Sequence, residues 1–259
     1  MGRWLRLLAR GLELALGLGL GLGPIGSSAQ AAELTVAVAA NFAAPMHKIA
    51  AAFERDSGHR LVLAFGSTGK FYAQIRHGAP FDVLLAADQD TPARLAREGY
   101  GSADSQFTYA TGRLALWSRQ PGLVDAQGAV LQAGAFDRLA LADPKLAPYG
   151  AAARQTLERL GLLAQLRPKL VQGDSIAQAY QFVASGNATL GFVALSQLML
   201  GGHITTGSAW IVPAELHAPL HQDALLLTRG QGQPAATALL AYLRSAPAHA
   251  IMRDHGYRF

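Results

Sequence analysis

Cysteine is absent from the 259-residue chain. No disulfide framework, thiol nucleophile or cysteine metal site can exist, so a packed core must hold the fold. Charge is sparse as well. Asp, Glu, Lys and Arg together make up 15% of the residues, and no run of Lys or Arg marks a nucleic-acid groove. Beyond residue 32 there is no apolar stretch of the roughly 20 residues that a membrane-spanning helix needs. What the chain does have is apolar residues, 51% of the total, enough for a sizeable core in one large domain or two lobes. Disorder is excluded on the same ground.

The first 32 residues differ from the rest. Arg3, Arg6 and Arg10 precede a Leu/Gly/Ala stretch over 11–23, and Ser27 to Ala32 supplies an Ala-x-Ala pattern. That is the three-part layout of a secretory signal peptide. Its apolar part is too short for a spanning anchor, and no Cys follows it to carry a lipid. Removing residues 1–32 takes away three of 22 basic side chains and one of 17 acidic ones, so the formal charge falls from +5 to +3. An exported chain without disulfides suits a bacterial periplasm.

Apolar runs at 33–40, 59–65 and 81–86 each read as a buried strand followed by a helix: 42–57, stopped by Gly58, then 70–77 and 92–98. Three such units in succession predict a parallel sheet covered on both faces. Residues 107–118 alternate like a long strand able to pass from one lobe to another. After a loop-rich stretch at 121–134 the pattern resumes: strands at 139–142, 170–172 and 189–194, helices at 151–160 and 177–184. A strand at 223–228 and a helix at 234–244 close the chain. The expected organisation is lobe I from 33–112 plus 222–259, with lobe II, 113–221, inserted between.

Four strand-to-helix loops stand out: Ala39-Ala40-Asn41-Phe42, Gly66-Ser67-Thr68-Gly69, Ala147-Pro148-Tyr149-Gly150 and Asp174-Ser175-Ile176. Each puts a small or hydroxyl-bearing residue where a helix begins, with Asn41 as an expected N-cap. Helix starts carry unpaired N–H groups and partial positive charge. Several of them converging make a site for a small multivalent anion. In open α/β sheets, ligands bind beyond the C-terminal strand ends, so two facing lobes would bring both pairs of loops to one cleft.

The stretches Val38–Phe42, Phe65–Gly69 with Tyr72–Ile75, Gly78–Pro80 with Ala86–Asp88, Asp143-Pro144 with Ala147–Gly150, and Leu190–Val193 resemble the periplasmic molybdate/tungstate-binding proteins of ABC importers (the ModA family). They fall in that family's order over nearly the whole mature chain, and the Asn41 and Pro-Tyr-Gly variant is similar to the Azotobacter-type members. The resemblance implies an α/β, two-lobed type II periplasmic-binding-protein fold, each lobe a mainly parallel sheet flanked by helices. It implies an oxyanion ligand, molybdate or tungstate, held by neutral donors from Ala40, Asn41, Ser67, Thr68, Tyr149, Ser175 and Ile176. It implies a membrane permease as partner, a monomer, and neither enzymatic turnover nor a cofactor. Thr68 stands where many members have Ser, and Ala194 where enterobacterial members have a binding Tyr.

Other signals have plainer readings. Gly66-Ser-Thr-Gly-Lys70 lacks the spacing of a nucleotide phosphate loop. Lys70 reads as a solvated lysine at the cleft rim, and Asp174, Asp88 and Asp90 as helix caps. His217 and His221 have a Pro between them and no third ligand, so no metal site is expected. No Ser/His/Asp set has a nucleophile-elbow context. The competing functions are a binding protein for sulfate, chromate or phosphate, an enzyme acting on a phosphate or sulfate ester, and a sensor domain. The leader generates a first test: N-terminal sequencing of the exported protein should begin near Ala32 or Glu33, and a retained Met1 would contradict cleavage.

Overall fold

Apolar runs bounded by glycine and helix caps sort themselves into strands that pair across sequence. In the computed structural model, which describes residues 31–259, β1 (Glu33–Ala39), α1 (Ala43–Ser57), β2 (Arg60–Gly66), α2 (Thr68–Arg76), β3 (Val83–Leu85) and α3 (Asp90–Arg97) come first. β4 (Phe107–Gly112), β5 (Leu114–Ser118), α4 (Val130–Ala133), β6 (Leu139–Ala142), α5 (Pro148–Arg159), α6 (Leu163–Leu166), β7 (Leu170–Gly173), α7 (Ile176–Ala184) and β8 (Leu190–Ala194) follow. A small hairpin of β9 (Met199–Leu200) and β10 (His203–Ile204), then β11 (Ser208–Ile211), β12 (Leu220–Leu226), α8 (Pro234–Leu243) and α9 (Ala246–Asp254) complete the chain. Residues 1–30 of the expected leader lie outside the described residues.

The strands form two five-stranded sheets, ordered β2-β1-β3-β12-β4 and β11-β5-β8-β6-β7. Each is mixed. β12 runs against β3 and β4, and β5 runs against β8 and β11, while β1 pairs in parallel with β2 and β3, and β6 with β7 and β8. The segment expected as one strand over 107–118 is two strands in different sheets, with Arg113 between them. The chain returns through 212–219, between β11 and β12.

Both faces of the first sheet are covered. Phe42, Met46, Ile49 and Phe53 pack with Leu239 and Met252 on one side; Phe71, Ile75 and Leu95 pack with Leu225 on the other. In the second sheet, Leu157 of α5 and Val183 of α7 join Leu141 and Phe192 in one core. Two helices start where the sequence reads as loop. Pro148 and Pro247 stand at the first or second helical position, where the missing proline N–H costs nothing. Thus α5 begins three residues before the expected start, and α9 forms where no helix is expected.

Asp82 is a structural anchor. It is fully buried, accepts the Thr35 N–H at 2.8 Å and the Gln233 amide at 3.0 Å, and pairs with Arg229 at 3.2 Å. Replacing it orphans one backbone and two side-chain donors, one of them charged. Urea unfolding of Asp82→Ala should show a loss of about 2–3 kcal/mol with its ligand affinity little changed once folded.

Candidate functional site

The ends of β1, β2, β3, β6 and β7 lead into the loops and helix starts that line one small cavity. Its volume is about 10 Å³, the room of about one water-sized sphere and far below the roughly 300–1,000 Å³ of pockets for drug-sized ligands. Six of the seven sequence-derived site residues line it: Ala40, Asn41, Ser67, Thr68, Tyr149 and Ile176. Gly66, Ala87 and Pro148 contribute small surfaces. No Asp, Glu, Lys, Arg or His is among the lining residues. Ser175 is not brought to it. Its hydroxyl is the N-cap of α7, accepting the Gln178 N–H at 3.3 Å.

Backbone amides supply much of the donor set. First-turn N–H groups have no intrahelical acceptor. At α5, Pro148 has no N–H and Gly150 donates to the Ala147 carbonyl, which leaves Tyr149 with the free amide. At α7, Gln178 is taken by the Ser175 cap, which leaves Ile176 and Ala177, of which Ile176 lines the cavity. At α2, Gly69 donates to the Leu146 carbonyl and Phe71 to Ser67, which leaves Thr68 and Lys70, of which Thr68 lines the cavity. The helical turn at Ala40–Phe42 presents Asn41 in the same way. None of the N–H groups of Tyr149, Ile176, Thr68 and Asn41 has a side-chain or loop acceptor among the described residues.

The hydroxyls divide the labour. Ser67 is 4% exposed, and its Oγ is the one fully buried side-chain polar atom without a hydrogen-bond partner among the described residues. An orphaned buried hydroxyl costs about 1–3 kcal/mol unless something in the cavity takes its proton. Thr68 Oγ1 is already committed as acceptor for the Ala87 N–H at 3.0 Å; its own proton is the part left to donate.

The side chains of Asn41 and Tyr149 do something the sequence did not suggest. Asn41 is no helix cap. Its Nδ2 donates to Gln222 Oε1 and to the Tyr257 hydroxyl, both at 2.9 Å. The Tyr149 hydroxyl accepts from Gln222 Nε2 at 3.1 Å. Tyr109 donates to Gln222 Oε1 at 3.0 Å, and Ser196 donates to the Asn41 carbonyl at 2.7 Å. This buried amide–phenol network joins Asn41 and Gln222, from the first sheet, to Tyr149 and Ser196, beside the second. Burial pushes the phenols of Tyr109 and Tyr149 well above their ordinary value and that of Tyr257 up to about 12, so all three stay protonated and neutral. Gln222, Tyr257 and Ser196 were missed because their neighbours come from 61 to 216 residues away in sequence. A polar Gln222-Asp223 pair interrupting the apolar run of β12 is the one local signal that could have drawn notice.

At the rim, Lys70 is exposed, as expected. It pairs with Asp174 at 2.6 Å, across from α2 to the loop before α7. Asp174 therefore does not cap α7. Asp88 does cap, accepting the Thr91 N–H at 2.8 Å, and burial holds its carboxyl above the usual range.

Residues 34–258 match a family described as bacterial extracellular solute-binding protein. A molybdate-binding protein ModA of Azotobacter vinelandii is 56% identical over 235 residues, 91% of this chain and 93% of its own length. The molybdate-binding protein ModA of Rhodobacter capsulatus is 49% identical over 229 residues, 88% of this chain and 89% of its own. The solved structure of an Azotobacter vinelandii periplasmic molybdate-binding protein superposes with a TM-score of 0.85 at 38% identity, over 87% of this chain and 99% of that one.

The two hydroxyls should separate experimentally. With a tetrahedral dianion as probe, Ser67→Ala should lose roughly 10- to 150-fold in calorimetric affinity, about 1.5–3 kcal/mol, with unfolding unchanged or improved. Thr68→Val strands the Ala87 N–H and should cost stability of about 1–2 kcal/mol as well as affinity. Full affinity in Ser67→Ala would remove Ser67 from the site.

Proposed function

The chain belongs to the bacterial extracellular solute-binding proteins, and from that premise we propose that it captures molybdate, and tungstate with it, in the periplasm and delivers it as a monomer to the membrane permease of an ABC importer. The observation that carries this reading is Ser67 Oγ, buried and unpartnered in a neutral cavity where four helix starts meet. The names of the close relatives in Azotobacter and Rhodobacter support the choice of anion. We read it as a carrier of the anion rather than an enzyme acting on it. The cavity lining has no acid, base or nucleophile–base pair with which to begin a reaction.

A buried dianion without donors is prohibitively costly. Charge-assisted hydrogen bonds from N–H and O–H groups offset that cost, and the four helix starts add positive potential without a counter-ion. Because the lining offers no carboxylate to accept a proton, it favours anions that carry none. Phosphate, partly protonated near neutral pH, would press a donor against donors. Chromate and sulfate share the charge of molybdate and compete on size alone.

The two sheets and the helices on them act as lobes that close over the anion, divided near the expected boundaries of 112–113 and 221–222. Several contacts clasp them here, among them the Gly69 N–H on the Leu146 carbonyl at 2.9 Å, Lys70 on Asp174, Ser196 on Asn41, and Gln222 on Tyr149. The approach at Gly69 is tight. A Cβ there would lie 3.0 Å from the Leu146 carbonyl oxygen. The exposed Lys70–Asp174 pair is worth roughly 0–1 kcal/mol.

Calorimetry against molybdate, tungstate, sulfate, chromate and phosphate should rank the first two together and phosphate last; equal competition by phosphate would overturn the neutral site. Small-angle scattering should show a more compact protein with saturating molybdate, and Gly69→Ala should weaken binding by obstructing that closure. An unchanged radius of gyration would count against closing lobes.

A further inference from the structure

One side chain touches the loops of both halves of the cavity at once. Gln222, on β12 and fully buried, accepts from Asn41 Nδ2 through its oxygen and donates to the Tyr149 hydroxyl through its nitrogen. Asn41, after β1 of the first sheet, and Tyr149, after β6 of the second, both line the cavity, and each has an N–H group without an acceptor among the described residues. β12 shifts register between Gln222 and Asp223, the local irregularity of a bulge, which re-aims a side chain relative to a regular strand. The chain also leaves room for this contact. A Cβ on Gly112, at the crossing from β4 to the second sheet, would sit 2.0 Å from the Tyr149 hydroxyl and 2.4 Å from Gln222 Nε2.

We infer that Gln222 is a positioning residue of the anion site: it fixes the Asn41 and Tyr149 loops relative to one another, and its neutrality sets the charge that the cavity tolerates. This rests on the anion-binding reading above. Every neighbour of the Gln222 amide oxygen or nitrogen is able to donate: Asn41 Nδ2, the Tyr109 hydroxyl and, by turning its proton, the Tyr149 hydroxyl. A carboxylate of the same shape would therefore be well solvated at 222. The amide keeps the position neutral beside the cavity, while its Nε2 holds the Tyr149 hydroxyl. The surrounding titratable groups are the phenols of Tyr109, Tyr149 and Tyr257, and the carboxylates of Asp223 and Asp88, which both act on Tyr109. His221 precedes it in sequence and is engaged by Thr111 at 3.1 Å. All of these are common to the native protein and its variants, so a difference in pH profile between them reports position 222.

The experiment is calorimetry with molybdate on the native protein, Gln222→Glu and Gln222→Met, from pH 6.0 to 8.5. The native affinity should be nearly flat, because the phenols stay neutral throughout. Gln222→Glu should lose about 100-fold at pH 8.5, where two like charges confront one another behind a low-dielectric wall. It should regain tenfold or more by pH 6.0 and take up a proton on binding, seen as a buffer-dependent heat. Gln222→Met, which breaks both bonds without adding charge, should lose affinity equally at every pH, mainly through faster release. A Gln222→Glu variant that folds and binds like the native protein at all pH values would overturn the inference, as would a loss with no pH dependence. Failure of the native protein to bind molybdate would instead overturn the function on which it rests.

Discussion

In the proposed site a doubly charged anion has to be stripped of its water among groups that carry no opposite charge, and the helix starts around the cavity suit that requirement. A lysine or arginine in the cavity would bind many anions. A set of aimed N–H and O–H dipoles binds those whose every oxygen can accept. Such dipoles must be held in place beforehand, since each one that wanders loses its share of the interaction. Helix starts answer this need because the backbone itself is the donor and the remainder of the helix is its mounting. The four mountings rest on two different sheets, so the donor set is whole only when the sheets face one another.

Most of the fold was legible because its signals are local. The strand–helix alternation, Gly58 as a helix stop and the apolar face of α1 all read directly from spacing. β6 fell where the apolar run of Leu139–Ala142 placed it. The errors are equally physical. The helix expected from 151 begins at Pro148, and α9, with Pro247 in its first turn, had no expected counterpart. The alternation of 107–118 cannot reveal that its two halves pair with different sheets, because pairing is a tertiary fact.

The site was legible as a set of positions and less so as a set of roles. Loops that begin helices are recognisable, and six of the seven residues named from them meet at one cavity. Which atom of each residue faces inward was not. Asn41 and Tyr149 were expected only as neutral donors; their side chains are bound to Gln222, and their backbone amides are what remain free. Ser175 was read as a ligand and spends its hydroxyl on its own helix. Gln222 itself was invisible: one glutamine in a strand acquires meaning only when residues far away in sequence close around it.

The glycine at 112 makes these positions interdependent over evolutionary time. Its backbone is not in the left-handed region, so no conformational reason reserves the place for glycine. What reserves it is volume already occupied by a phenol oxygen and an amide nitrogen. A descendant chain that gained even a methyl group at 112 would first have to surrender the hydroxyl at 149 and shorten the reach at 222. Positions 112, 149 and 222 therefore form a single heritable character, to be exchanged together or not at all, and grafting this cavity onto a distant relative would require carrying an empty place along with the residues that fill the space beside it.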